Sequence, residues 1–270
     1  MQKLRYSYHM KLTFEQPVRE HRFKLRCFPL NDARQKISNE RINIYPVHFR
    51  ISEKDSFGNM CIYGTANQIH DHFAVDVEGD AEIDINGQLR ADEHKIGIFK
   101  FETALTKAGN NIREFHRELE PAAFYDNNFE RAFYMMNMLY DEFTYSQGVT
   151  DISTNADEAF RLRHGVCQDY AHVLLALCRL ERIPCRYIAG MIPGEGATHA
   201  WVEIFSEGIW RMLDPTHNRE CDDTYIKISS GRDAKDCSIN QGVFYGGGRQ
   251  TQEIKVVCRK INSQCRTQRI

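Results

Sequence analysis

Between His164 and Asn218 the chain carries a cysteine, a histidine and an aspartate in an order suited to acyl transfer through sulfur. Cys167 lies in HGVCQDYAHVLLALCRLERIP, His199 in GEGATHAWVEIF and Asp214 in GIWRMLDPTHN. A thiolate attacks carbonyl carbon, an imidazole beside it carries protons near neutral pH, and a carboxylate fixes the ring's tautomer and steadies its charged form. Together the three supply a nucleophile, a general base and an orienting acid.

The chemistry requires elements that bring these side chains together. Val166, Tyr170, Val173, Leu174, Leu177 and Leu180 recur at spacings of three and four, which predicts a helix opened by Cys167. It should end near Arg182, because Pro184 pushes Ile183 out of the α region. Cys167 then sits in the first turn, where unpaired N–H groups carry partial positive charge and favour a thiolate. Cys178, deeper in the helix, reads as core. Residues 198–205 and 209–213 read as two strands joined by a turn at Ser206, Glu207 and Gly208. With Ser206 and Glu207 as the central pair, 205 faces 208 and 199 faces 214; a longer turn slips this by a residue or two. Either way His199 and Asp214 become neighbours across an antiparallel pair.

Singly, each residue has a plainer role: a small buried hydrophobe for the cysteine, a backbone-bonded strand histidine, an aspartate starting a turn before Pro215. Their order and spacing favour the chemical reading. GVCQDYAHVLLALCR, THAWVEIF and WRMLDPTHN together resemble the transglutaminase-like superfamily, whose members include transglutaminases, peptide N-glycanases and bacterial cysteine proteases. The resemblance implies a nucleophile at Cys167, a general base at His199 and an orienting acid at Asp214. It also implies a papain-like/transglutaminase-like core, with the catalytic helix packed on an antiparallel β-sheet. The alternating N-terminal half, GRD (231–233) and GVFYGGG (242–248) resemble the bacterial branch that carries an N-terminal β domain.

Leu4, Tyr6, Tyr8, Met10, Leu12 and Phe14 alternate with polar residues, the period of a half-buried strand. Phe23, Leu25 and Cys27, then Ile37–Tyr45, Met60–Tyr63 and Phe73–Val77 read likewise, and Asn86-Gly87 is the strongest hairpin signal. These short strands predict an N-terminal antiparallel β-sandwich over residues 1–105. His70 and His72, on one strand face, read as surface residues. Thr106–Asn111 is linker-like, which puts the transglutaminase-like catalytic domain at 106–270 and the fold in the α+β class. Phe129, Ala132, Phe133, Met136, Leu139, Tyr140 and Phe143 predict an amphipathic core helix, and Thr154 with Asp157 a helix cap. Gly246–Gly248 lacks a phosphate loop's context and reads as a tight turn; Ile254, Val256 and Cys258 mark a last strand, and the basic tail after Arg259 reads as frayed.

The chain has 270 residues, 42% of them hydrophobic, enough for two modest domains. A net charge of -2 offers no electrostatic case for nucleic acid. The opening MQKLRYSYHMKLTFEQ has no apolar run, so neither a signal peptide nor a membrane span is expected. Nine cysteines, an odd number, fit reduced thiols in a cytoplasm. No C-x-x-C pair occurs, which argues against structural zinc, and neither metal nor cofactor is expected.

The expected activity is therefore thiol-dependent hydrolysis of a peptide or protein substrate through a thioester, as a cysteine peptidase or amidase. The Cys167 backbone N–H is the expected first oxyanion donor, with Gln168 and Tyr145 as candidates for the second. Transglutaminase-type amine transfer to a glutamine carboxamide uses the same triad and is the alternative. A third reading is a catalytically retired peptide-binding module. Oligomeric state is left open.

Overall fold

The protein is described by a computed structural model covering residues 1–91 and 96–261. The tail expected to fray lies mostly at 262–270, with Cys265, outside the described residues. In chain order the elements are β1 (Gln2–Leu25), β2 (Gln35–Tyr45), β3 (Phe49–Lys54), β4 (Met60–Ala66), β5 (His70–Ile83), β6 (Leu89–Arg90), α1 (Asn110–Glu118), α2 (Asn128–Glu142), β7 (Thr144–Tyr145), α3 (Ala156–Leu162), β8 (His164–Gly165) and α4 (Cys167–Leu180). Then follow β9 (Cys185–Met191), β10 (Gly194–Gly196), β11 (His199–Ser206), β12 (Ile209–Asp214), β13 (Arg219–Glu220), β14 (Ile226–Gly231), β15 (Asn240–Gly246) and β16 (Gln250–Lys260).

The alternation in β1 turns its apolar residues inward: Leu4, Tyr6, Tyr8, Met10, Leu12 and Phe14 are all buried. A straight strand of this length would run about 80 Å, far beyond one sheet, so it bends. The ladder shifts register between Thr13 and Val18, and Glu20 takes a positive φ of 53°. The first half of β1 is flanked by β5 and β16, the second by β4 and β15. A sandwich was the expectation. Because β1 serves both halves, the strands are hydrogen-bonded into one eight-stranded antiparallel sheet that curls around a single core. Within it His70 is buried rather than on the surface, its Nε2 3.3 Å from His21 Nδ1.

The expected boundary at 105/106 follows the chain but not the sheets. β15 and β16 (240–260) return to β1, with Leu4 opposite Lys260, and bury Val256 and Cys258 in the first core. In the opposite sense β6 leaves the first sheet and pairs with β12 in the second. Asn86-Gly87 accordingly makes no hairpin; it is the crossing between sheets. A Cβ on Gly87 would stand 1.9 Å from the Ala33 carbonyl oxygen, so only glycine fits there.

The second sheet runs β13-β12-β11-β9-β14, and α4 packs on it through a core containing Leu174, Leu177, Val202, Ile204 and Leu213. Helix α2 forms where its stripe predicts, capped by Asn127 accepting from the N–H groups of Phe129 and Glu130. Helix α1 begins at Asn110, inside the end of the segment read as linker. Its start is held from afar: Asp157 on α3 accepts from Ile112 N–H at 2.9 Å. The cap of α3 is Asn155, not Thr154, whose hydroxyl accepts from Asp151 N–H instead. The two sheets are joined by buried polar contacts. Asn59, just before β4, exchanges two 2.8 Å hydrogen bonds with the Ser230 backbone on β14. Within the second sheet Glu203 is wholly enclosed and paired with Arg186, its cross-strand partner on β9. Burial would raise the Glu203 carboxyl, but Arg186, Lys227 and Arg34 bring it down to about 2.

Candidate active site

Cys167 is the first residue of α4 and is partly exposed. No side chain at Val166 caps the helix; Asp169 reaches back instead, accepting from Val166 N–H at 2.8 Å and from the Thr150 hydroxyl at 2.7 Å. Gly165 is required beneath it, since a Cβ there would lie 2.5 Å from the Asp169 carboxylate. First-turn N–H groups have no intrahelical acceptor, so those of Cys167 and Gln168 remain available beside the sulfur. The helix ends at Leu180, short of Arg182. Arg182 adopts a φ of 60° and Ile183 N–H folds back to the Cys178 carbonyl. Tyr145 lies on β7, opposite Gly165 on β8, and is half-exposed.

The β11–β12 hairpin turns on Glu207 and Gly208, with φ of 52° and 82°. A turn with two positive φ values matches the twist of antiparallel strands, which is why this pair displaces the expected Ser206-Glu207. The register becomes 206 opposite 209 and 202 opposite 213. It therefore slips by two from the expected pairing, and continuing it sets 201, not 199, opposite 214. His199 is the diagonal neighbour of Asp214, a distance a long ring can span. Its Nε2 lies 2.8 Å from Asp214 Oδ2.

That bond leaves Nδ1 as the nitrogen free for Cys167, whose side chain is close enough to help raise the ring's proton affinity. Burial works against charge on His199, but the hydrogen bonds to Asp214 and Cys167 outweigh it and raise the imidazole to about 9. Asp214 is wholly buried, which alone would raise its carboxyl; its bonds to His199, His217 and Tyr225 hold it far below the usual range. The sequence-predicted Cys167, His199 and Asp214 are thus brought together.

Two residues at this site escaped the sequence reading. His217 Nδ1 and the Tyr225 hydroxyl each lie 2.7 Å from Asp214 Oδ2. His217 had a weak signal, being three residues after an aspartate before proline. Asp214 Oδ1 accepts from the N–H groups of Thr216 and His217, a turn that folds the ring back over the carboxylate. Tyr225 had none, because β14 returns beside β9 by tertiary pairing. His199, Asp214 and His217 are also the residues here whose donor atoms could jointly hold a metal ion.

Residues 4–82 match the family described as the bacterial transglutaminase-like N-terminal region, and residues 118–215 match the transglutaminase-like superfamily. The chain belongs to the transglutaminase-like superfamily. The second superfamily match spans Cys167, His199 and Asp214 and stops short of His217 and Tyr225. An uncharacterised protein of Mycobacterium tuberculosis (strain H37Rv) is 26% identical over 251 residues, covering 80% of this chain and 79% of its own length. One from Mycobacterium leprae is 32% identical over 127 residues, covering 43% of this chain and 45% of its own. Among solved structures, the one described as a "Putative Cysteine Protease from Cytophaga hutchinsonii" superposes with a TM-score of 0.77 at 20% identity, covering 98% of this chain and 92% of that one. That likeness establishes the shared transglutaminase-like fold.

Proposed function

We propose that this member of the superfamily is a thiol-dependent hydrolase, a cysteine peptidase or amidase with Cys167, His199 and Asp214 as its triad. The observation that carries this reading is an imidazole bonded through Nε2 to a buried carboxylate, with its proton affinity raised in part by the neighbouring Cys167 at the start of α4. In the first step the thiol proton passes to His199 Nδ1 and sulfur bonds to the carbonyl carbon. The Cys167 N–H at the helix start stabilises the oxyanion. The C–N bond breaks, the leaving amine takes the proton from His199, and a thioester remains. Water then attacks the thioester, giving its proton to the imidazole, and the acid leaves as the thiol reforms.

Asp214 orients the ring and stabilises its charge without itself reacting. Partial exposure of Cys167 favours water as the acceptor. The description of the Cytophaga neighbour as a putative cysteine protease agrees with hydrolysis. Eight described cysteines are free thiols, which supports placing this chemistry in a reducing cytoplasm. A peptide or protein is the proposed substrate class. The deciding experiment runs peptide and isopeptide cleavage beside incorporation of a labelled amine into a glutamine peptide. Cleavage that Cys167→Ala abolishes supports the proposal. Amine incorporation without cleavage would make the protein a transglutaminase, and neither, with peptide still bound, would make it a binding module.

A further inference from the structure

His217 is not needed by the chemistry above, yet it is aimed at the same oxygen as the catalytic histidine. Its Nδ1 and His199 Nε2 approach Asp214 Oδ2 to 2.7 Å and 2.8 Å, and the three donor atoms all lie within 4.8 Å of one another. His199 and Asp214 are enclosed, whereas the His217 side chain is 45% exposed and opens the cluster to solvent on one side. Two imidazoles and one carboxylate, with a fourth direction open to water, form a donor set that zinc and its first-row neighbours prefer.

The geometry points to a divalent transition-metal site formed by His199 Nε2, Asp214 Oδ2 and His217 Nδ1, with zinc as the fitting ion, whose occupation switches the triad off. Tetrahedral zinc with bonds of about 2.0–2.1 Å separates its ligands by roughly 3.3 Å. Each nitrogen must therefore draw back from the carboxylate oxygen by about half an ångström, a shift within the reach of side-chain rotation. The Tyr225 hydroxyl, 2.7 Å from Oδ2, stays as a donor to the metal-bound carboxylate and keeps it oriented.

Atoms balance simply. In the neutral ring Nε2 bonds the metal and its proton moves to Nδ1; an imidazolium releases the Nε2 proton to solvent and keeps the one on Nδ1. His217 likewise moves its proton from Nδ1 to the exposed Nε2. A neutral His199 held with hydrogen on Nδ1 has no lone pair facing Cys167 and cannot take the thiol proton. Beside an already ionised sulfur it could protonate the leaving amine only by becoming a metal-bound imidazolate, which makes it a far weaker acid than imidazolium. The metal thus acts on the base and leaves the sulfur untouched. This distinguishes the site from zinc capture by a thiolate, the ordinary route by which metals poison cysteine enzymes.

The inhibitory consequence rests on the hydrolase reading, but the metal site does not, so binding and activity are measured separately. Zinc is titrated calorimetrically into the full-length protein and into Cys167→Ala and His217→Gln variants, all under reducing, chelator-free conditions. Glutamine can still donate to Asp214 but supplies no imidazole ligand, and thermal melting of each variant without metal reports its fold. The expected result is one zinc bound per chain at the same affinity in wild type and Cys167→Ala, weakened about tenfold or more in His217→Gln. Hydrolysis by the wild type should be lost as the site fills, and the zinc needed should rise in step for His217→Gln. Zinc binding that disappears in Cys167→Ala and survives in His217→Gln would overturn the proposal, as would no binding to the wild type at 100-micromolar zinc, on the order of weak adventitious association.

Discussion

Replacing Asp214 with asparagine should move the proton affinity of His199 through neutral pH, and the size of the change follows from the site. In the native protein burial opposes charge on the ring, and the bonds to Asp214 and Cys167 carry it from 6.5 up to about 9. At about 1.4 kcal/mol per tenfold change, that rise favours the imidazolium by ~3 kcal/mol. Asparagine keeps the shape but removes the charge, so desolvation gains on its opponents and the ring should titrate below 6.5. Because the folded ring holds its proton more tightly than the unfolded one, this contribution is fully present below pH 6.5. It fades as pH rises through about 9. The stability gap between wild type and Asp214→Asn, from urea unfolding, should therefore be ~3 kcal/mol larger at pH 6 than at pH 10. The depressed Asp214 carboxyl contributes in a different window: its stabilisation is present above pH 4 and lost only in strong acid. Imidazole NMR resonances followed from pH 5 to 10 give the ring's midpoint directly. A wild-type midpoint near 6.5, or an asparagine variant titrating with the wild type, would refute this account of what holds the charge.

Cys167→Ala should abolish turnover of any substrate found while shifting the melting temperature by no more than a few degrees, because the side chain is small and partly exposed. His199→Ala should be nearly as severe for turnover, and Asp214→Ala milder, as steady-state kinetics on purified variants would show. Tyr225→Phe removes one buried donor from Asp214 and should cost about 1–2 kcal/mol in urea unfolding with the fold unchanged by circular dichroism. Glu203→Ala strands Arg186 between adjacent strands of the second sheet and should cost about 3–5 kcal/mol by the same assay, whereas Glu203→Gln should cost less.

Much of the site was legible because local spacing encodes it. Cys167 opens a helix whose apolar stripe reads directly, and His199 and Asp214 sit on two strands that one short turn must pair. The residue-level register was not legible. Choosing Glu207-Gly208 over Ser206-Glu207 depends on which pair accepts positive φ, and the neighbouring glycine decided it. His217 and Tyr225 joined the site through a turn and a distant strand, and no periodicity announces either. In the β half the alternation of β1 was plain, but that one strand serves both halves of a curled sheet is a property of its length and bend. Helix α1 was hidden because its capping carboxylate, Asp157, comes from 45 residues downstream of Ile112.

The pairing of β1 with β16 fixes a sequence of events during synthesis. Until residues 240–260 leave the ribosome, the side of β1 opposite β4 and β5 has no neighbour, and its backbone groups stand bare along both halves of the strand. A nascent chain that already holds Cys167, His199 and Asp214 therefore still carries an open β edge, a hazard for aggregation that only the last strands close. Ribosome stalling before β15 should accordingly yield a sticky, chaperone-dependent intermediate, with α4 and its sheet already made and the first sheet waiting to be sealed.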